Sequence, residues 1–550
     1  MKALHHTSIS VAKLLRHLED GVFALPRLQR EFVWNGRKAA ALIDSINRGM
    51  PIGAILVWDT SHHNQNVLRK SLHILPQYDP ANDRIWFLVD GQQRVSVLYQ
   101  AAHGEVRLNS DGREVDFSRL VLNLYGNGKD EASISYRRAV AQEHAELPNI
   151  LSPAWRYRFR RFPNYKLNRI EKCRERIRKY RVPVIFVQTN DLSEVQEVFV
   201  RINSLGTPIG SADRVMADVS KFDIRGLAHE AQQSLAPEFR QVPYETVLQA
   251  FGLVAERKVT DVGERAYESS LKKWEKRADE SDSHKTEFHR IWRRLQTALG
   301  KSVDYLKENS RVLSEGFLPS ANMLATLSVF FYHHPAQPTT YQRREIRKWF
   351  WATGVAQRYS GRGYRQNILA DVGFFRRLAS GRGRFTLKDR ADRLDVRKAE
   401  YTRRSSLTDS FYCLLACQEP RYIENGQPVP DSLYASAANR KHRHHIFPRA
   451  MLAVYGFNHH QYNSICNICF VVADEHGHIG AKSPRTYLAK FRRKKHFARA
   501  MRSHLIPCDG RSAIWTKGVR RAFKQFVPQR LAAICRAFER EAGIKLFRKD

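Results

Sequence analysis

The sequence predicts an α+β, multidomain protein, and three observations carry that expectation. At 550 residues the chain exceeds what one hydrophobic core serves. Strand-length apolar runs fall towards the two ends, at 52–58, 85–89, 182–187 and 470–473. Between 211 and about 422 apolar residues recur mainly at helical spacing, with no strand-rich block.

The elements follow in order. Residues 8–20 read as a capped helix with Leu14, Leu15 and Leu18 on one face. Residues 25–34 continue as extended chain. Asn35 can cap the next helix, whose apolar stripe is Ala39, Leu42, Ile43 and Ile46 and which Gly49 and Pro51 stop. A buried strand covers 52–58. A second strand, 85–89, runs into Asp90-Gly91-Gln92-Gln93-Arg94 and then a helix to about Gln100. Residues 103–150 are mixed and turn-rich. Residues 155–181 interleave Trp, Tyr and Phe with Arg and Lys, a pattern that suits either stacking on bases or a helix with its aromatics packed inward. A strand at 182–187 precedes a helix at 193–202, with Ser193 and Gln196 at capping-box spacing. The Arg-rich stretch 379–404 reads as a loop or mobile connection, and 424–432, with Gly426, Pro428 and Pro430, as a linker. The expected domains are 1–215, a helical middle at 216–425, and 426–550.

Charge narrows the function. Lys plus Arg number 92 against 55 Asp plus Glu, a formal charge of +37, which favours contact with a polyanion. No apolar run approaches the ~20 residues of a membrane span. The start, MKALHHTSIS, lacks a signal-type apolar segment. Seven cysteines do not make a disulfide framework, so a reducing cytoplasm is expected.

The chemistry concentrates near the C-terminus, in His442-Arg443-His444-His445-Ile446-Phe447-Pro448, then Asn463, Asn467 and His476-Gly477-His478. Phosphodiester hydrolysis needs a base for water and charge stabilisation at the phosphate, which an imidazole and a divalent ion supply. Neighbouring strand residues face opposite ways, so His444 and His445 can do different jobs. Asn467 can hold a loop or orient the base. Cys466 and Cys469 have no second pair at zinc-knuckle spacing and read as a buried structural pair.

These residues resemble the HNH, or ββα-metal, domain at the C-terminus of GmrSD-type restriction enzymes. The His-His-Ile-Phe-Pro string resembles its first strand, residues 463–472 its central strand and residues 479–488 its closing helix. The resemblance implies His445 as general base, His444 and His476 as metal ligands, and Asn467 as the orienting residue. His476 also counts among the catalytic positions. His478 stays open as the alternative ligand. The ion implied is Mg²⁺, or else Mn²⁺.

Upstream, Asp90-Gly91-Gln92-Gln93-Arg94 sits between a strand and a helix. Gly91 admits close backbone approach, helix-terminal N–H groups favour an anion, and Arg94 can grip phosphate. A turn closed by an Asp–Arg pair is the purely structural explanation. With Gln29-Arg30 upstream and Arg201-Ile202-Asn203 downstream, the segment resembles the ParB/sulfiredoxin-like N-terminal domain of the same family. That resemblance implies an NTP site (GTP, ATP or CTP) built from Arg30, Asp90, Gly91, Gln92, Gln93, Arg94, Arg201 and Asn203. Gly300-Lys301-Ser302 ends like a P-loop but lacks its first Gly.

The expectation is a cytoplasmic, NTP-regulated, metal-dependent DNA endonuclease acting in restriction of phage or foreign, modified or plain, DNA. The alternative is a non-cleaving, nucleotide-switched DNA-binding sensor or adaptor. Neither the residues that contact DNA nor the oligomeric state follows from the sequence.

Overall fold

A computed structural model describes residues 3–26, 32–68, 74–108, 114–125, 133–191, 221–256, 258–361, 363–432, 443–470 and 482–548, and 194–195, 198, 212, 215–216 and 219. The chain divides into two compact units, 1–226 and 227–550. The expected boundary near 215 lies close to that division. The helical middle and the histidine segment share the second unit.

The first unit is built on a mixed five-stranded sheet. Its strands are β1 (Ala3–Ser10), β2 (Phe23–Ala24), β3 (Ile55–Ser61), β4 (Arg84–Asp90) and β10 (Arg181–Gln188), in the order β1-β10-β3-β4-β2. Short strands β5 (Val106–Leu108), β6 (Glu114–Asp116), β7 (Leu120–Asn123), β8 (Ile134–Tyr136) and β9 (His144–Glu146) form two small antiparallel sheets between β4 and β10. β3 is parallel to β10 and antiparallel to β4. Alternation along β3 feeds two cores. Ile55 and Val57 face the larger one, together with Leu14, Ile43, Val95 and Ile177 of the covering helices. Leu56 and Trp58 face the other, where Trp58 stacks on Phe87 at 5.1 Å.

The helix expected at 8–20 begins at Val11, because residues 3–10 pair along β10 as an edge strand. Ser10 caps that helix through Lys13 N. The His, Thr and Ser of β1 lie at a sheet edge and need no apolar alternation, so pattern alone does not reveal the strand. Asn35 caps the helix Gly36–Asn47 as expected. In the aromatic, basic stretch Trp155 and Phe159 are packed inward and buried, whereas Tyr157 is exposed with Arg160 over its ring. The capping box expected at Ser193 and Gln196 lies outside the described residues.

The second unit is mainly helical. Its centre is Ala321–His333, buried without a break from Met323 to Tyr332, against Tyr244–Ala255, Asp282–Ser310 and Tyr364–Ala379. A buried polar knot ties neighbouring helices: Asp371 accepts from Trp349 Nε1 (2.9 Å), Tyr359 Oη (2.7 Å) and both terminal nitrogens of Arg358 (2.8 and 2.9 Å). The last long helix, Val519–Ala542, packs on Thr340–Val355, with Trp351 against Phe538 at 5.8 Å. Gly300-Lys301-Ser302 lies within the helix Asp282–Ser310, a conformation that cannot wrap a phosphate as a P-loop does.

Residues 424–432 are not a free linker. Arg421 bridges to Pro428, Gly426 lies against His496, and Asp431 receives two bonds from Arg311 at 2.6 and 2.7 Å. Its Gly and Pro shape a tight, anchored turn, a use the same residues serve as often as flexibility.

Candidate functional site

The C-terminal histidines lie on a two-stranded antiparallel ribbon, β11 (Arg443–His445) and β12 (Ile468–Phe470). His444 is opposite Cys469 and His445 opposite Ile468. Neighbouring elements support the ribbon and the turn that follows it. Phe447 packs on Phe523 (5.3 Å) and Phe526 (5.1 Å) of the last helix. The guanidinium of Arg530, fully buried, donates to Ile468 O at 3.0 Å, and burial lowers its pKa to about 10. Tyr487, on the short helix Pro484–Leu488, donates its hydroxyl to Ile446 O at 2.8 Å.

Asn467 is fully buried and holds the loop after β11. Its Oδ1 accepts from Phe447 N (2.8 Å), and its Nδ2 donates to Phe447 O and Tyr462 O (both 3.0 Å). All three of these hydrogen bonds therefore go to main chain. The amide that touches the candidate base is Asn463: His445 Nε2 lies 3.1 Å from Asn463 Oδ1. With the amide oxygen as acceptor, Nε2–H donates and Nδ1 keeps its lone pair. Tyr401 stands edge-on to the imidazole at 5.2 Å. Burial pushes the His445 pKa below its ordinary 6.5; the Asn463 bond opposes that shift, and Arg449 adds to it. The ring is accordingly neutral at pH 7, as a general base must be.

His444 is half-buried on the same strand. It is the one described donor of the metal set that the resemblance implies; His476 and His478 lie outside the described residues. Cys466 and Cys469 are both buried, and burial raises the Cys466 thiol to about 11.

In the first unit, β4 ends at Asp90, and Gly91 adopts φ 89° before the helix Gln92–His103. Gly is needed there, since a Cβ would meet Ile55 at 3.2–3.3 Å in a left-handed conformation. Arg94 donates Nη1 to Ile52 O and Nη2 to Asp90 Oδ2, both at 2.9 Å. A Cβ on Gly53, at φ 83°, would lie 2.3 Å from Arg94 Nη1, so the guanidinium depends on that glycine. The Asp–Arg pair of the structural explanation is thus present. Gln93 Oε1 accepts from Val33 N at 2.9 Å. Gln92 differs: it is 3% exposed, and both its amide atoms are buried without a hydrogen-bond partner among the described residues. Asp90, Gly91, Gln92, Gln93 and Arg94 converge on one turn; Arg30, Arg201 and Asn203 lie outside the described residues.

Sequence reasoning missed the role of Asn463, although the residue sits in the quoted strand motif. It also missed Tyr401, which only folding brings to His445.

Residues 11–220 match the family model described as the GmrSD restriction endonuclease, N-terminal domain. The matched span covers the whole Asp90–Arg94 turn and ends before the histidine segment. The chain is also 22% identical over 536 residues to the uncharacterized protein MJ0686 of Methanocaldococcus jannaschii, across 88% of this chain and 87% of that one. No helix among the described residues is long and apolar enough to cross a membrane.

Proposed function

We propose that the chain is a metal-dependent DNA endonuclease of the restriction type, regulated by a nucleotide bound in its first unit. The single observation that carries the catalytic half is the 3.1 Å contact of His445 Nε2 with Asn463 Oδ1, which leaves Nδ1 as the basic nitrogen of a ring whose pKa burial lowers. The restriction context rests on the match over residues 11–220.

His445 is the base and Asn463 sets its tautomer and ring plane. Asn467 keeps the turn after β11 in register beneath them. His444, with His476 or His478, is the proposed ligand set for Mg²⁺ or Mn²⁺, which when bound stabilises charge on the phosphate. Exposed cations supply backbone contact. Arg485 and Lys517 line a cavity of about 270 Å³ beside Phe447, and Arg397, Lys398, Arg403 and Lys524 one of about 690 Å³ beside Ser464.

For the nucleotide half, the support is the Gln92 amide at the start of a twelve-residue helix. A buried amide with no partner costs ~1–3 kcal/mol, a cost that a ligand's polar edge would remove. Arg30, Arg201 and Asn203 complete the proposed pocket for GTP, ATP or CTP.

The test is a plasmid-nicking assay with Mg²⁺, with and without each NTP, on methylated, glucosylated, phosphorothioated and plain DNA. Cleavage that His445→Ala abolishes supports the proposal. If no DNA is cut and phage protection survives His445→Ala, the chain is instead a non-cleaving nucleotide-switched sensor.

A further inference from the structure

Among the described residues, one group of three His, Cys, Asp or Glu side chains brings its ligand atoms within 4.8 Å of one another: Glu400, His459 and His460. None of the three is among the proposed base, its partners or the nuclease ligand set, although Glu400 and His460 line the cavity of about 690 Å³. We infer that they form a transition-metal site of their own, with two imidazoles and one carboxylate as ligands.

The residues arrive from segments that the backbone locks together. Residues 399–401 pair with 463–465: Ile465 N donates to Ala399 O (2.9 Å), Tyr401 N to Asn463 O (3.0 Å), and Glu400 bridges to Ser464. Ser464 Oγ adds a bond to Arg397 O at 2.7 Å. Asn458 and Gln461 close a capping box around the turn that carries both histidines. Glu400 therefore faces His459–Tyr462 at fixed distance, with little ordering left to oppose ion binding.

The side chains then converge. His460 Nδ1 is 2.6 Å from Glu400 Oε1, and the two imidazole rings are 3.8 Å apart. A histidine–carboxylate hydrogen bond alone accounts for His460 and the 7%-exposed Glu400. It does not involve the second imidazole, whose centroid lies 3.8 Å from the first with the planes tilted by 38°. Two imidazoles and a carboxylate form the His₂-carboxylate set that holds zinc. Ligand bonds of about 2.0–2.2 Å place donors roughly 3.3 Å apart around a tetrahedral ion. Small rotations of the two exposed imidazoles reach that spacing, His459 moving in and the His460–Glu400 pair opening from 2.6 Å. Three donors with two nitrogens select Zn²⁺, Co²⁺ or Ni²⁺ over Mg²⁺ and Ca²⁺, which take oxygen shells.

Both histidines are exposed, so the ion keeps an open position towards the cavity of about 690 Å³. Arg403, whose Nε is 3.7 Å from Glu400 Oε1, is 71% exposed and free to swing aside. An ion here also braces the turn that presents Asn463, because that turn is one half of the 399–401 ladder.

The experiment is Zn²⁺ titration of the full chain by calorimetry and equilibrium dialysis, repeated with Co²⁺ for its visible absorption. His459→Ala, an exposed position, should remove one ion per chain or weaken it at least tenfold, and Glu400→Gln should do the same. The same ion should persist in His444→Ala, which separates this site from the nuclease set. Backbone amides of Tyr401 and Ile465 should gain hydrogen-exchange protection when Zn²⁺ is added. Unchanged stoichiometry and affinity in His459→Ala overturn the site whatever the fate of the buried Glu400→Gln, and they leave the nuclease proposal standing.

Discussion

His445 Nε2 and Asn463 Oδ1 stand 3.1 Å apart, eighteen residues separated in sequence and joined across the loop that Asn467 holds. That contact determines which ring nitrogen is free to act, and the first two predictions follow from it.

His445→Ala should lower cleavage by about 10²–10⁴-fold, the usual worth of a positioned general base, without changing the thermal midpoint by much. Asn463→Ala should lower it roughly fivefold, since a neutral hydrogen bond of ~1 kcal/mol orients the ring. Single-turnover rates on plasmid DNA measure both.

If His445 is the base as proposed, the acid limb of the pH–rate profile should lie below pH 6.5, because burial depresses its pKa and a base acts in its neutral form. Asn463 raises that pKa, so Asn463→Ala should move the limb to still lower pH. A limb above 6.5 would contradict the role of burial.

His504 gives a stability test. It is fully buried, burial lowers its pKa to about 4, and Nε2 bonds Arg421 O at 2.8 Å. Its folded pKa lies below its unfolded one, so its contribution is complete above pH 6.5 and is lost as pH falls to about 4. The loss amounts to about 3 kcal/mol at 1.36 kcal/mol per unit. Thermal midpoints from pH 7 to 4 should show it, and His504→Gln should flatten the curve.

Asn467→Ala should destabilise the second unit by about 3 kcal/mol or more, leaving Phe447 N, Phe447 O and Tyr462 O buried without their partner. Asn467→Asp keeps one bond and sets a carboxylate against two carbonyls, so it should not rescue. Scanning calorimetry reads both.

Gln92→Leu should leave the first unit as stable or slightly more stable, since it removes a buried amide without a partner. It should nevertheless weaken NTP binding at least tenfold. Reduced stability with unchanged binding would sink the nucleotide pocket at this turn.

Much of this was legible in the chain. The strand at 85–89, the cap at Asn35 and the turn at 90–94 came from alternation and capping chemistry, which act over a few residues; the strand expected at 52–58 forms three residues later, at Ile55–Ser61. The paired histidines and Asn467 stood out by type and spacing. The edge strand at 3–10 did not, because its exposed polar residues carry no alternation. The segment 424–432 looked like a linker because glycine and proline mark both anchored turns and free ones.

By itself the sequence determined a basic α+β chain, the turn at Asp90–Arg94 and the histidine strand at 443–445. Tertiary structure alone decided that Asn463 rather than Asn467 meets His445, that Arg94 also reaches Ile52 while Gln92 is left over, and that Glu400 lies against His460 from sixty residues upstream. The reason is physical. Local periodicity specifies which face of an element is apolar, whereas a hydrogen-bond partner is chosen by how separate elements pack, and no window of sequence contains both sides of that contact.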